Sequence, residues 1–160
     1  SVLPGYHDKQ FKISGTAFQY EGSVTQLSKP DPAHMLEHAY MYLHAPYLWG
    51  GKSPFGIDCS GFTQMVYKLS GIRIRRDAWQ QSEQGTPVPN LQEARAGDLA
   101  FFSNDEGKVI HTGILLPGGR IMHASGRVRI DELDATGILN SDTGQLSHRL
   151  HSIRRYVNLP

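Results

Sequence analysis

A single cysteine, Cys59, and two histidines, His111 and His123, are the side chains of this 160-residue sequence best suited to nucleophilic chemistry. Cys59 stands where the glycine-rich run LWGGKSPFGID gives way to a helical pattern, CSGFTQMVYKL. A thiol in the first turn of a helix feels unpaired backbone N–H groups and the positive end of the helix dipole. That setting favours the thiolate and lowers the pKa from about 8.5 toward the ~3.5 to 7.5 range. A thiolate nucleophile also needs a proton carrier for the leaving group and a third group to orient that carrier. The histidines suit these roles because they lie on two arms of a hairpin turning near Pro117-Gly118-Gly119. A loop with an odd number of residues puts both on one face of the sheet, and a turn centred on Pro117 sets them directly opposite each other. An even loop sends them to opposite faces. Gly113, on the same face as His111, leaves room for a helix end or a ligand to approach. The alternative for Cys59 is a small apolar core filler, but Asp58 and Ser60 flank it, and polar neighbours suit a site better than a core.

The elements that must hold these residues can be read from periodicity. Met35, Leu36, Ala39, Tyr40 and Leu43 share one broad face of a helix over 33–43, with Asp31-Pro32 as cap and first-turn proline. Phe62, Met65, Val66 and Leu69 recur at i, i+3, i+4, i+7 in a second helix from Cys59 to Leu69, which Gly71 stops. GDLAFFS, VIHTGILL, RIMHAS, RVRID and HSIRRYVNL then read as strands over 97–103, 109–116, 120–125, 127–131 and 151–159. Helices first and an antiparallel sheet afterwards make an α+β domain. Before them, QFKIS, AFQYEG and SVTQL alternate with glycines, and SKPDP follows as a linker. Residues 1–32 thus read as the tail of a small β unit and 33–160 as the main domain.

Composition removes several function classes. The formal net charge is +1 and no long run of lysine or arginine occurs, which argues against a nucleic-acid surface. No apolar run approaches the ~18 residues that span a bilayer. One cysteine permits no internal disulfide.

In order along the chain, Tyr47, Trp49-Gly50-Gly51, Asp58-Cys59-Ser60-Gly61-Phe62, Gly97-Asp98-Leu99, His111-Thr112-Gly113-Ile114 and His123-Ala124-Ser125 resemble the NlpC-type family of bacterial cell-wall cysteine peptidases. The resemblance covers about residues 33–158. It implies a papain-like cysteine peptidase fold, with Cys59 as nucleophile, His111 as general base and acid, and His123 as the residue orienting it. It further implies substrate-binding roles for Tyr47, Asp58 and Ser60, and for Arg76 and Asp77 in the cleft-lining stretch RRDAWQQ. The branch it resembles cuts the γ-D-glutamyl bond to meso-diaminopimelate or lysine in peptidoglycan stem peptides. That branch uses no metal or cofactor and requires a free N-terminal L-alanine, whose ammonium meets acidic and phenolic groups. A bacterial SH3-like module precedes the catalytic domain there, so residues 1–32 would be its remnant and its missing part would be needed for full selectivity. A monomer acting outside the cytoplasm on stem peptides or muropeptides is the resulting expectation.

Three rival readings exist. His34-Met35-Leu36-Glu37-His38 is a literal H-x-x-E-H zinc signature, but the helical pattern turns His34, Glu37 and His38 away from Leu36, Ala39 and Leu43 and toward water. A peptidoglycan-binding module without catalysis has no need of an activated thiol. An amidase or acyltransferase on the same fold would use the same residues on another substrate.

Overall fold

The computed structural model describes residues 6–22, 24 and 33–156. The piece SVTQL, the SKPDP linker with its Asp31-Pro32 cap, and the end of the last strand expected from sequence lie largely or wholly outside them. A short hairpin comes first, β1 (Gln10–Ile13) paired antiparallel with β2 (Thr16–Gln19) and clasped by stacked Phe11 and Phe18 rings 5.6 Å apart.

Helix α1 (Met35–Tyr40) is shorter than its pattern, because His34 makes no side-chain cap and Met41 to His44 continue as turns. It buries Met35 and Ala39. A two-strand clip, β3 (Lys52–Ser53) and β4 (Gly56–Ile57), leads into α2 (Cys59–Leu69), whose start and end agree with the sequence. Phe62, Val66 and Tyr67 of α2 are fully buried, each contributing roughly 1.5–3 kcal/mol of apolar burial. A five-residue helix that the pattern did not reveal, α3 (Ala78–Ser82), is closed by an Asp77 capping box with Gln80.

The sheet comprises β5 (Thr86–Val88), β6 (Leu99–Ser103), β7 (Val109–Leu116), β8 (Arg120–Ser125), β9 (Arg127–Leu133), β10 (Gly137–Asn140) and β11 (Gln145–Arg155). The α+β class holds, with helices ahead of an antiparallel sheet. The sheet is not open, however. β11 pairs with β6 along one half and with β10 along the other, so β6 to β11 close into a barrel with β5 added on β11. β11 begins six residues before the strand expected at 151, because QLSHRL is mostly polar and carries no alternation that period-2 reading detects.

Closure gives the molecule two cores. Leu99, Phe101, Ile114, Leu116, Met122 and Ala124 face α1 and α2 on the barrel's outside, while Ala100, Phe102, Leu115, Ile121, Leu133, Ile138 and Ile153 fill the inside. The Tyr67 hydroxyl donates to the Gly97 carbonyl at 2.6 Å, and Arg155 grips Asp98 through Nε at 2.9 Å and Nη2 at 2.7 Å. These bonds tie α2 and β11 to the entrance of β6.

Candidate active site

Asp58 makes the start of α2. It is extended at the N-cap, and its Oδ1 accepts the Gly61 N–H at 2.6 Å while Oδ2 accepts that of Gly50 at 2.8 Å. The glycine-rich loop therefore lies on the first helical turn, where a side chain at Gly61 would overlap the Gly51 carbonyl oxygen. Arg76 completes the cap. Its Nη2 reaches Asp58 Oδ2 at 2.6 Å, and Nη1 reaches Oδ1 at 3.0 Å and the Ser60 hydroxyl at 2.9 Å. Burial tends to raise the Asp58 pKa, but the bonds from Arg76, Gly61 and Gly50 hold it below the ordinary value. The buried Gln81 amide donates to the Ser60 and Arg75 carbonyls and accepts from Thr63, fastening α3 to α2.

Cys59 is buried at the helix tip, against β7. The β7–β8 pairing ends at Gly113 and His123. The Leu115 N–H is directed at Asp98, on the β6 side, so by alternation that of Thr112 points the other way, where no strand partner remains. It is directed at the thiol instead. The expectation of a lowered thiol pKa is overturned by this setting. Burial is the larger effect and pushes Cys59 up to about 11, against the N–H groups of Thr112, Ser60 and Cys59 that favour the thiolate. The resting thiol is neutral at pH 7.

His111 and His123 do share one face. The turn is the three-residue loop 117–119, with Gly118 and Gly119 at positive φ of 77° and 67°, so its centre is Gly118 and not Pro117. That moves the register by one pair. Gly113, not His111, stands opposite His123, and the histidines meet diagonally, His111 Nε2 to His123 Nδ1 at 2.8 Å. The room that Gly113 leaves is filled by His123 and Ile121, each 2.8 Å from where a Cβ would stand, rather than by a helix end or a ligand.

Further residues join the site that sequence reasoning did not find. His123 Nε2 lies 2.8 Å from Asp131 Oδ2, and Arg129 Nη2 donates to Asp131 Oδ1 at 2.9 Å. Arg129 Nε is 2.7 Å from Asp131 Oδ2 as an ion pair, but at an angle that makes no hydrogen bond. His148 of β11 stacks on His111, with ring centroids 4.1 Å apart and planes at 24°. Alternation along β9 was the one available signal for Arg129 and Asp131; nothing local marked His148.

All of these side chains line one end of the barrel interior, and Cys59 approaches from the parted β7–β8 seam. Among the described residues no hydrogen bond joins the thiol to the His111 ring, and His111 Nδ1 has no partner. Tyr47 is half-buried and close enough to feel the charges of Cys59 and Asp58, whereas Asp77 serves as the cap of α3. His34, Glu37 and His38 do not converge. His38 does not point to water either, since its Nδ1 bonds the Ser70 hydroxyl at 3.0 Å and braces α1 against the end of α2. The histidines whose nitrogens do converge, among the described residues, are His111, His123 and His148.

The imidazoles make stability acid-sensitive. Burial first, and then neighbouring His123, push His148 down to about 4, and burial with His123 and His148 holds His111 well below its ordinary value. An unfolded chain binds these protons near pH ~6.5, so between that pH and about 4 the unfolded state is the better proton acceptor and stability rises with pH. The melting temperature is expected to fall as pH drops from 7 to 4, and a His148→Phe variant to show a shallower fall; a flat wild-type profile would contradict the buried neutral rings.

Comparisons with known proteins agree with this architecture. The model of the NlpC/P60 family matches residues 44–147. The gamma-D-glutamyl-L-lysine dipeptidyl-peptidase of Bacillus subtilis (strain 168) is 39% identical over 133 residues, covering 78% of this chain and 45% of that protein. The chain thus spans less than half the length of that relative. A crystal structure of an NlpC/P60 family protein from Bacillus cereus ATCC 10987 superposes with a TM-score of 0.70 at 28% identity, covering 98% of this chain and 53% of that one. The NlpC/p60 domain of the peptidoglycan hydrolase SagA gives 0.57 at 38% identity, over 64% of this chain and 89% of that domain. With most of its barrel and α2 inside the matched span, this chain belongs to the NlpC/P60 family.

Proposed function

We propose that this chain is the catalytic part of a papain-like cysteine peptidase that hydrolyses the γ-D-glutamyl bond to a diamino acid, meso-diaminopimelate or lysine, in peptidoglycan stem peptides. The observation carrying the reading is the meeting of the Cys59 thiol with β7 at Thr112, the residue next in sequence to His111, whose Nε2 is tied to His123 and whose Nδ1 has no partner among the described residues.

The thiol and the imidazole are both neutral at rest, so the proton moves as the bond forms. His111 Nδ1 takes the thiol proton while sulfur attacks the γ-carbonyl carbon of D-glutamate. The N–H groups of Cys59 and Ser60 at the start of α2 hold the developing oxyanion. His111 then gives the proton to the departing amine, and a water activated by the same nitrogen releases the acyl group.

Asp58, Ser60, Arg76 and Tyr47, which cluster at the start of α2, are read as the wall that receives the substrate. Because Arg76 neutralises Asp58, this wall suits a zwitterion better than a lone ammonium. L-Ala-γ-D-Glu is one, with a free N-terminal ammonium for Asp58 and the Tyr47 hydroxyl and an α-carboxylate for Arg76. Support comes from the Bacillus subtilis relative, which is named a gamma-D-glutamyl-L-lysine dipeptidyl-peptidase. Residues 1–32 are read as the remnant of a preceding SH3-like module and 33–160 as the catalytic domain, a monomer acting outside the cytoplasm. Among the described residues no helix is long and apolar enough to cross a membrane.

The test is incubation with L-Ala-γ-D-Glu-diaminopimelate and its N-acetylated form, with products read by mass spectrometry. Cleavage of the free peptide alone is the expected result. Cleavage of both replaces the dipeptidyl reading with wall hydrolysis, and cleavage of neither overturns the substrate class.

A further inference from the structure

We infer that Asp131 is a positioning residue that sets the tautomers of both site histidines, with Arg129 clamping it in place; this rests on His111 serving as the base for Cys59. Asp131 stands opposite Ile121 in the β8–β9 register, one diagonal step from His123 on the barrel's inner face. Its carboxylate is surrounded by donors: His123 Nε2 at 2.8 Å, Arg129 Nη2 at 2.9 Å and the Ser141 N–H at 2.9 Å. Arg129 is itself anchored, through Nη1 to Asp142 at 2.7 Å and Nη2 to Asn140 at 3.2 Å. Burial raises the Asp131 pKa, but the bonds from His123, Arg129 and Ser141 pull it well below the ordinary carboxylate range.

An ionised carboxylate can only accept, so His123 Nε2 must carry the proton. A neutral imidazole has one N–H, which leaves a lone pair on His123 Nδ1. That nitrogen is 2.8 Å from His111 Nε2, which must therefore donate. The lone pair of His111 is then on Nδ1, the nitrogen able to take the thiol proton. Two imidazoles sharing one hydrogen bond have no preferred direction of their own. In the reverse direction His111 Nδ1 is protonated and cannot act as a base. Asp131 selects the productive direction from two rings away.

The groups facing this relay are His148 from β11, stacked on His111, Arg129 from β9 and Asp142 from the β10–β11 turn, while Cys59 of α2 meets β7 at the adjacent Thr112. None of the others supplies an acceptor to His123 Nε2.

Asp131→Asn in the full chain is the test. Arg129 and the Ser141 N–H fix the amide oxygen toward themselves, so the new NH₂ is presented to His123 and both tautomers reverse. Three readouts are needed: ¹⁵N shifts of the histidine rings, kcat and KM on the free stem peptide, and the melting temperature. Wild type is expected to show His111 and His123 protonated at Nε2. The variant should show both at Nδ1, with kcat down about a hundredfold or more and KM little changed. A wild-type His111 carrying its proton on Nδ1, unchanged tautomers in the variant, or a kcat within a few-fold of wild type would each overturn the inference. If the variant does not fold, the wild-type spectrum alone decides. If Cys59→Ala retains cleavage, it is the peptidase reading that fails, and the ring spectra still report on Asp131 independently.

Discussion

Cys59→Ala is expected to abolish the proposed cleavage of the stem peptide, lowering kcat by about 10⁴-fold or more, while the protein keeps its fold and melting temperature within a few degrees. Nothing else at the tip of α2 can replace the sulfur. Ser60 offers its hydroxyl to Asp58 at 3.4 Å and receives Arg76, and Asp58 is committed to the cap. Losing the nucleophile of such a unit removes nearly all of the acceleration beyond what binding and oxyanion stabilisation provide. The raised thiol pKa adds a second expectation. With the resting group at about 11, iodoacetamide should alkylate Cys59 no faster than an ordinary thiol at pH 7, and the rate should climb with pH well above neutrality. Fast labelling at pH 6 would show a preformed thiolate. Residual cleavage by the alanine variant would place the nucleophile elsewhere.

Gly137→Ala is the substitution with the largest expected effect on stability. Gly137 opens β10 at φ +147°, and a side chain there would overlap the carbonyl oxygen of His148 on the facing strand. Backbone cannot yield as a flexible side chain does, so either the β10–β11 ladder opens or the strand shifts. The penalty is about 3 kcal/mol or more. Because β10 to β11 is the pairing that closes the barrel, the damage should reach the His148–His111 stack and activity should fall with stability. Gly144→Ala is the control. It too has positive φ, at +67°, but a side chain there would meet nothing within 4 Å, so about 1 kcal/mol is expected. Equal losses in urea melts of the two variants would show that local strain, not barrel closure, governs.

The parts of the site written in local signals were legible in sequence. The start of a helix at Cys59, the i, i+3, i+4, i+7 face of α2, and the strand pattern of β6 to β8 each depend on neighbours a few residues away, and they put Cys59, His111 and His123 in the right elements. The register was harder, because Pro117 is rigid but does not mark the centre of its loop; the two glycines at positive φ do. Arg129 and Asp131 had only the alternation of β9 to mark them, and His148 was invisible for another reason. Its role comes from barrel closure, which brings β11 beside β7's histidine, and no local pattern encodes a pairing between β10 and the polar start of β11. The thiol's high pKa was missed on the same grounds, since the helix tip is a local feature and the burial around it is not.

The eleven residues of β11 hydrogen-bond to three strands, β5, β6 and β10, and β11 is the last described element to leave the ribosome. Until it emerges, a growing chain already carrying Cys59, His111 and His123 has a gap in its wall, lacks the His148 ring that stacks on His111 and leaves Asp98 without Arg155. Contacts this distant in sequence form late and slowly, so the barrel is expected to close only once β11 is available to pair with β6 and β10.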